Sequence, residues 1–460
     1  MRIEKVIIEN FKNVAHGELS FENKRKPDGP SILALYGQNG SGKSALVDCM
    51  LAFKLLLTGE KLPQHFASFV NQNADFARLT YVFDSVGGRS KYEIEFENAN
   101  GFPVITNESM RAFDPEANRF RTLFTTKGYD LFGPRTLLRE MGEDEIARME
   151  ECYQEGASFF FVLDNPFPDE SECFWVANCI CADAEAFLYV VGTKEAETIE
   201  SGKLTIPYDF INTGVVFEDE PIEVDGGYGV FEYTEEKEGI WNTVDISTDP
   251  SSPSYIPHEL AAVLELALFN DVNYLIGQLI PGMKLRLLGG DAVIDDIPVA
   301  EVYIGSVRGD NVIPLSCESR GIQKIVSVAW LLINVYSNED FVAVIDEIDS
   351  GIFEYLLGEL LKVIAEEGEG QLICTSHNLR PLEVIDKGYI AFTTANPENR
   401  YMRLKNVKAT NNLRDFYYRS IFLGGQKESI YEPASAGDLS MGFIMAGSRM
   451  RHWYESDDDY

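Results

Sequence analysis

Gly37-Gln-Asn-Gly-Ser-Gly-Lys43-Ser44 fits the pattern G-x-x-x-x-G-K-[ST] and stands between an apolar run, Ser31–Tyr36, and a helix-like stretch, Ala45–Leu57. Glycines at this spacing allow a tight loop whose backbone N–H groups converge on phosphates at a helix N-terminus. Lys43 is placed to reach the β- and γ-phosphates of ATP, and the Ser44 hydroxyl to ligate Mg²⁺. Gly37, Gln38, Asn39, Gly40, Ser41, Gly42 and Ala45 complete the expected phosphate cradle.

Further apolar runs end in polar clusters, as the strands of a parallel sheet do where ligands sit at their carboxyl ends. Phe341–Ile345 leads into Asp346-Glu347, and Gln371–Thr375 leads into Ser376-His377-Asn378. Gly388–Thr393 is a fourth candidate strand. An apolar run ending in two acids is, by itself, an ordinary strand meeting its loop. Beside a phosphate loop, Asp346 suits the Mg²⁺ shell, and Glu347 suits the general base that polarises the attacking water. His377 is placed to contact the γ-phosphate and that water. Leu315-Ser-Cys-Glu-Ser319-Arg-Gly321 opens a long apolar helix to about Tyr336, and a hydroxyl and a glycine there form either a helix cap or a second anion site.

The order of these elements resembles an ABC-type ATPase, in which two heads sandwich ATP and each donates its signature helix to the other's phosphate loop. The resemblance implies that Ser319 and Gly321 bind the γ-phosphate across a dimer interface. It also implies a P-loop NTPase fold of ABC type, a parallel-sheet core plus an antiparallel β subdomain. The opening Ile-Glu-Asn-Phe11-Lys12-Asn13 resembles the heads of RecF, SMC and OLD-type proteins rather than transporter subunits, and Lys12 counts among the implied nucleotide contacts. Glu318-Ser-Arg-Gly321, Ile345-Asp-Glu-Ile348, Thr375-Ser-His-Asn378, Asn412-Leu-Arg-Asp-Phe-Tyr-Tyr and Leu423-Gly-Gly-Gln-Lys-Glu428 are similar to the compact ATPases of bacterial phage-defence systems, PtuA of Septu and AriA of PARIS. The signature departs from the family in reading Ser-Arg-Gly, and the turn after Glu347 in reading Ile-Asp-Ser-Gly. The roles of Asp349 and Ser350 stay open there, and Gln72 is a candidate for the Q-loop glutamine.

Net charge is −35, and the stretch Met149–Leu260 holds 25 Asp and Glu against three lysines. Such a surface repels phosphate backbones and is either a solvated acidic face or a dock for a basic protein. Arg78–Ser85 and Lys91–Asn98 flank a glycine turn and read as an antiparallel hairpin. A helix is expected near Arg135–Glu151, extended aromatic runs at Phe159–Leu163 and Ala186–Gly192, and a returning helix at His258–Leu279. The resulting division is a head lobe over 1–105, an acidic α/β insertion over 106–282 that splits the head, and a second lobe over 283–460.

Seven cysteines without paired spacing make a poor disulfide framework and read as reduced thiols. No run approaches the roughly 18–20 apolar residues of a membrane helix, and the N-terminus lacks a signal-peptide pattern, so a cytoplasmic chain with no membrane partner is expected. The segment after His377 is too short for the nuclease domain of OLD proteins. The reading is therefore a Mg²⁺-dependent ATPase, a head-to-head dimer or higher homo-oligomer with composite ATP sites. It acts as sensor or scaffold in phage defence and holds a separate effector (nuclease or toxin) on the acidic insertion. The alternative is a RecF- or SMC-like DNA-maintenance ATPase that binds duplex DNA through a basic strip of Lys12, Lys24, Arg25, Lys26 and Arg78.

Overall fold

A computed structural model describes residues 1–21, 31–128, 130–133, 143–162, 167, 171–192, 203–207, 243–265, 269–294, 297–404, 412–423, 428–430, 437 and 440–446. The acidic tail 454–460 and most of 193–242 lie outside the described residues.

Alternation of small and branched apolar residues builds the central sheet. In β3 (Ser31–Tyr36), Leu33 and Leu35 enter one core while Ile32, Ala34 and Tyr36 enter another. In β16 (Val342–Ile345), Val342 and Val344 face the first core, and Ala343 and Ile345 the second. A strand buried on both faces has no polar side, which is why these runs read as continuously apolar. The sheet order is β19-β18-β3-β17-β16-β9. Here β17 is Gln371–Thr375, β18 Ile390–Thr393, β19 Tyr401–Met402 and β9 Leu188–Val191. Every pair is parallel except β18/β19.

A seven-stranded antiparallel sheet packs over the first core in the order β2-β1-β4-β5-β6-β7-β8. It consists of β1 (Arg2–Phe11), β2 (Val14–Ser20), β4 (Ala77–Asp84), β5 (Ser90–Ala99), β6 (Phe102–Asp114), β7 (Arg119–Lys127) and β8 (Asp130–Phe132). The expected hairpin is β4–β5. Helix α1 (Lys43–Leu57) lies in this core with Leu46, Met50, Phe53 and Leu57 buried, and Phe53 stacks on Tyr81 at 4.1 Å. Helices α2 (Glu143–Gln154) and α3 (Glu172–Phe187) flank the same sheet. The pair β10 (Lys203–Pro207) and β11 (Thr243–Ser247) forms a small ribbon. A further antiparallel sheet holds β12 (Ser254–Ile256), β13 (Lys284–Ile294), β14 (Ile297–Arg308) and β15 (Asn311–Pro314). Helices α4 (His258–Val263) and α5 (Phe269–Leu279) precede β13, and α6 (Arg320–Ser337) and α7 (Glu354–Glu367) cover the second core.

The expected α/β P-loop fold, parallel core plus antiparallel subdomain, is present. The sheets do not break where the three-way division drew its boundaries. Strand β6 runs through residue 105, and β9, from the middle of the expected insertion, is the edge strand of the parallel sheet. Leu188 and Val190 supply the first core and Tyr189 the second, so this segment belongs structurally to the head. The aromatic run expected over Phe159–Leu163 is also not extended at 159–162, and Leu163 lies outside the described residues. Phe159, Phe160 and Phe161 sit buried in a turn, the first two against Phe124 and Phe167 and the third edge-on to Tyr92, and aromatic packing overrides their strand propensity. The helix expected over Arg135–Glu151 is Glu143–Gln154 where described, with 134–142 outside the described residues. All seven cysteines are free.

Candidate functional site

Strand β3 delivers the loop Gly37–Ser44 to the start of α1, at the mouth of a cavity of about 760 Å³. Asn39, Gly40, Gly42, Lys43, Ser44 and Ala45 line it from the loop and the start of α1, and Lys12 and Asn13 from the turn between β1 and β2. Glu347 and His377 line the opposite part, and Ser68–Asn73, including Gln72, closes the remaining side. The fold thus brings most of the expected residues to one cavity, although they are as far apart as Lys12 and His377 in sequence. Gly37, Gln38 and Ser41 belong to the loop itself rather than to the lining.

The loop is braced from behind by residues that the sequence reading missed. A Cβ on Gly37 would lie 1.7 Å from Thr393 Oγ1, so glycine is required where β18 crowds the loop. The Thr393 hydroxyl also meets the Ser41 hydroxyl and donates to Tyr36 O at 3.3 Å. Tyr401 Oη donates to Gly42 O at 2.9 Å, and Arg400 donates to Thr394 O at 2.7 Å and Asn13 O at 2.5 Å. Thr393 ends an expected strand, which was the one available signal. Arg400 and Tyr401 carry none, because Asn13 and Gly42, the groups they brace, are more than 350 residues away in sequence.

Lys43 is 6% exposed and donates to Gly37 O at 2.9 Å and Gln38 O at 3.1 Å. Burial pulls its ammonium below the usual lysine range, while Asp346, Glu347 and Asp349 push the other way. Lys12 pairs with Asp48 on α1 and lies 4.1 Å from the Phe69 ring centre, a cation–π contact inside the cavity. Burial raises the Asp48 carboxyl, and Lys12 opposes the shift.

The acidic turn after β16 is held by three sets of contacts. The Thr375 hydroxyl donates to Asp346 Oδ1 and accepts the Glu347 N–H at 2.7 Å. Glu347 occupies the left-handed region at φ 47°, unusual for a residue with a side chain. Asp349 Oδ2 accepts the N–H groups of His377 at 2.8 Å and Asn378 at 2.7 Å, tying this turn to the loop that carries His377. Ser44 and Asp346 offer few protein oxygens between them, which fits Mg²⁺ completed by phosphates and water rather than by a protein cage. Among the described residues no cluster of three His, Cys, Asp or Glu side chains could hold a metal alone.

Ser319 and Gly321 do not line the cavity. Ser319 caps α6, accepting the Ile322 N–H at 3.4 Å. A Cβ on Gly321 would lie 2.0 Å from Gly351 O, in the turn that carries Asp346 and Glu347. Gly321→Ala is therefore expected to cost about 1–3 kcal/mol through overpacking against backbone. The check is chemical denaturation of the chain without nucleotide. An unchanged midpoint would mean that the 349–351 turn yields freely.

Of the strip proposed for duplex DNA, Lys12 is paired with Asp48, and Arg78 with Glu9 at 3.1 Å and with Glu95. Lys24, Arg25 and Lys26 lie outside the described residues. No described helix is long and apolar enough to cross a membrane.

Residues 5–168 match the family described as "AAA domain". A search of the curated proteins found no match. Among solved structures, the chain is similar to an Smc head bound to the C-winged helix domain of ScpA, at 13% identity and TM-score 0.42, over 88% of this chain and 98% of that one. It is similar to the SMC head domain from Thermotoga maritima at 15% identity and TM-score 0.38, over 88% and 100%. An Smc head with an extended coiled coil, bound to the C-terminal domain of ScpA derived from Pyrococcus furiosus, gives 13% identity and TM-score 0.40 over 88% and 96%.

Proposed function

We propose that the chain is a Mg²⁺-dependent ATPase whose site is built from Gly37–Ser44, Asp346, Glu347 and His377. The observation that carries this reading is the convergence of Lys43, Ser44, Glu347 and His377 on one cavity. Lys43 would leave its two carbonyl partners for the phosphates, Ser44 and Asp346 would hold Mg²⁺, and Glu347 would take a proton from the attacking water. His377, fixed through Asp349, would bind the γ-phosphate. Bound Mg²⁺ supplies charge neutralisation for the leaving phosphate oxygens. Ser319 and Gly321, outside the cavity, would complete the site of a second copy. Lys12, stacked beside Phe69, would bound the nucleotide at the far end of the cavity.

The proposed physiological role is phage defence, with ATP turnover controlling a separate effector docked on the acidic segment between 149 and 260. This role rests on the sequence strings around Ser319, Asp346, His377 and Asn412. The DNA-maintenance reading is less well supported, since Lys12 and Arg78 are already ion-paired. Lys43→Ala tests both levels. ATP affinity should fall at least about tenfold, as expected for a lost charged contact, and phage restriction by cells carrying the gene with its neighbours should vanish. Unchanged affinity would overturn the site, and restriction that persists in the variant would overturn the link to defence.

A further inference from the structure

The acidic turn 346–351 is clasped from outside the cavity by the first turns of α6. Gly321 lies against the Gly351 backbone at the far end of that turn. One helical turn later, Lys324 Nζ donates to Asp346 O at 3.2 Å, at its near end. Residues three apart share a helix face, so one face of α6 grips both ends of the segment that carries Asp346, Glu347 and Asp349. Lys324 is 8% exposed, does not line the cavity, and interrupts an otherwise apolar stripe of Ile325, Val328, Leu331 and Val335. A buried ammonium in such a stripe costs stability unless charge compensates it nearby. Burial pulls the Lys324 ammonium below the usual lysine range, and Asp346, Glu347 and Asp349 push the other way, the same three carboxylates that act on Lys43.

We propose that Lys324 is a positioning residue for hydrolysis: it anchors the Asp346–Gly351 turn to α6 and supplies the fixed counter-charge that remains when Lys43 turns to the nucleotide. The geometry gives this a mechanical consequence. The turn is also bound to the His377 loop through Asp349. A displacement of the N-terminus of α6 is therefore carried to Glu347 through Lys324 and Gly321, and to His377 through Asp349. Because Lys324 touches neither the cavity nor the phosphate loop, its loss should spare binding and impair turnover.

This inference rests on the ATPase reading, and the experiment separates the two. Lys324→Met keeps length and removes charge, and Lys324→Arg keeps charge. For both variants and the wild type, ATP affinity, steady-state phosphate release and the thermal midpoint are measured on the full chain. Expected for Lys324→Met is a kcat at least about tenfold lower, in line with the sensitivity of rates to small misplacements. ATP affinity should stay within about threefold, and Lys324→Arg should recover most of the rate. A wild-type rate in Lys324→Met overturns the inference alone. Equal loss of affinity and kcat, or no recovery with arginine, assigns Lys324 a merely structural role and also overturns it. A wild-type chain that releases no phosphate overturns the ATPase reading, and the inference with it.

Discussion

Replacing Glu347 by glutamine is expected to lower phosphate release by about 10²–10⁴-fold, the usual contribution of a positioned general base, while ATP still binds. The substitution is nearly isosteric, so the contacts that shape the turn should survive. These are the Glu347 N–H to Thr375 Oγ1 at 2.7 Å and the Ser350 N–H to Glu347 O at 2.9 Å. The left-handed backbone at Glu347 carries a steric cost of order 1–3 kcal/mol, and no glycine relieves it. The conformation presents the side chain to the cavity while Asp346 stays buried behind it, bonded to the Thr375 hydroxyl. Adjacent acids are thereby split into two environments, one suited to Mg²⁺ and one to water. Phosphate release and light scattering with ATP are the measurements. If Ser319 and Gly321 of a second copy complete the site, the glutamine variant accumulates as an ATP-bound dimer. Wild-type turnover in the variant would remove Glu347 from the base role, and a monomer saturated with ATP would count against the composite site.

How much of this was legible depended on how local the signal was. The phosphate loop and the strands at Ser31, Phe341 and Gln371 were readable because burial on both faces writes an uninterrupted apolar run into the sequence. Glu347 and His377, which line the cavity, were within reach of the same signal, since each stands two residues past such a strand. Strand β9 was not recognisable as part of the head. Four residues at Leu188–Val191 carry no mark of their partner at Val342–Ile345, about 150 residues away. That missing pairing is why the sequence division left β9 outside the head sheet. Phe159–Phe161 misled in the opposite direction, as aromatic residues suit a strand and a packed turn equally. Thr375 was read only as the end of a strand, yet its hydroxyl links Asp346 to Glu347. Gly321 was read as a phosphate contact, and its position also serves close packing on Gly351, which no spacing rule reveals. Lys324 drew no reading of its own from the sequence, because its partner Asp346 stands in the turn after β16, on a different element.

The second large effect is on stability rather than turnover: Glu108→Ala is expected to destabilise the antiparallel subdomain by about 3–5 kcal/mol, the range for breaking a buried charged network. Glu108 sits on β6 with 0% exposure. Its carboxylate gathers the hydroxyls of Tyr92 at 2.7 Å, Tyr153 at 3.0 Å and Ser158. The N–H groups of Phe159 and Phe160 also reach it, at 3.1 and 3.4 Å. Those donors come from β5, from α2 and from the aromatic turn that was expected to be a strand, so one side chain fixes three elements. Burial pushes the carboxyl up from its ordinary range, and the Ser158, Tyr92 and Tyr153 hydroxyls with the Phe159 N–H pull it back. Alanine would leave the Tyr92 and Ser158 hydroxyls and the two N–H groups without this acceptor, each at a cost of about 1–3 kcal/mol when unrelieved, while the Tyr153 hydroxyl keeps the Thr126 hydroxyl at 2.9 Å. Partial relaxation keeps the total below their sum. The loss should be local first, because the turn at 157–161 has no strand pairing beyond one isolated bridge, Lys61 to Ala157. Hydrogen exchange should therefore accelerate at Phe159 and Phe160 before the phosphate loop opens, with a matching fall in the denaturation midpoint. Glu108→Gln, which keeps an acceptor oxygen, should lose less. Equal exchange in wild type and Glu108→Ala would mean that the aromatic cluster of Phe124, Phe159, Phe160 and Phe167 holds the turn by packing alone.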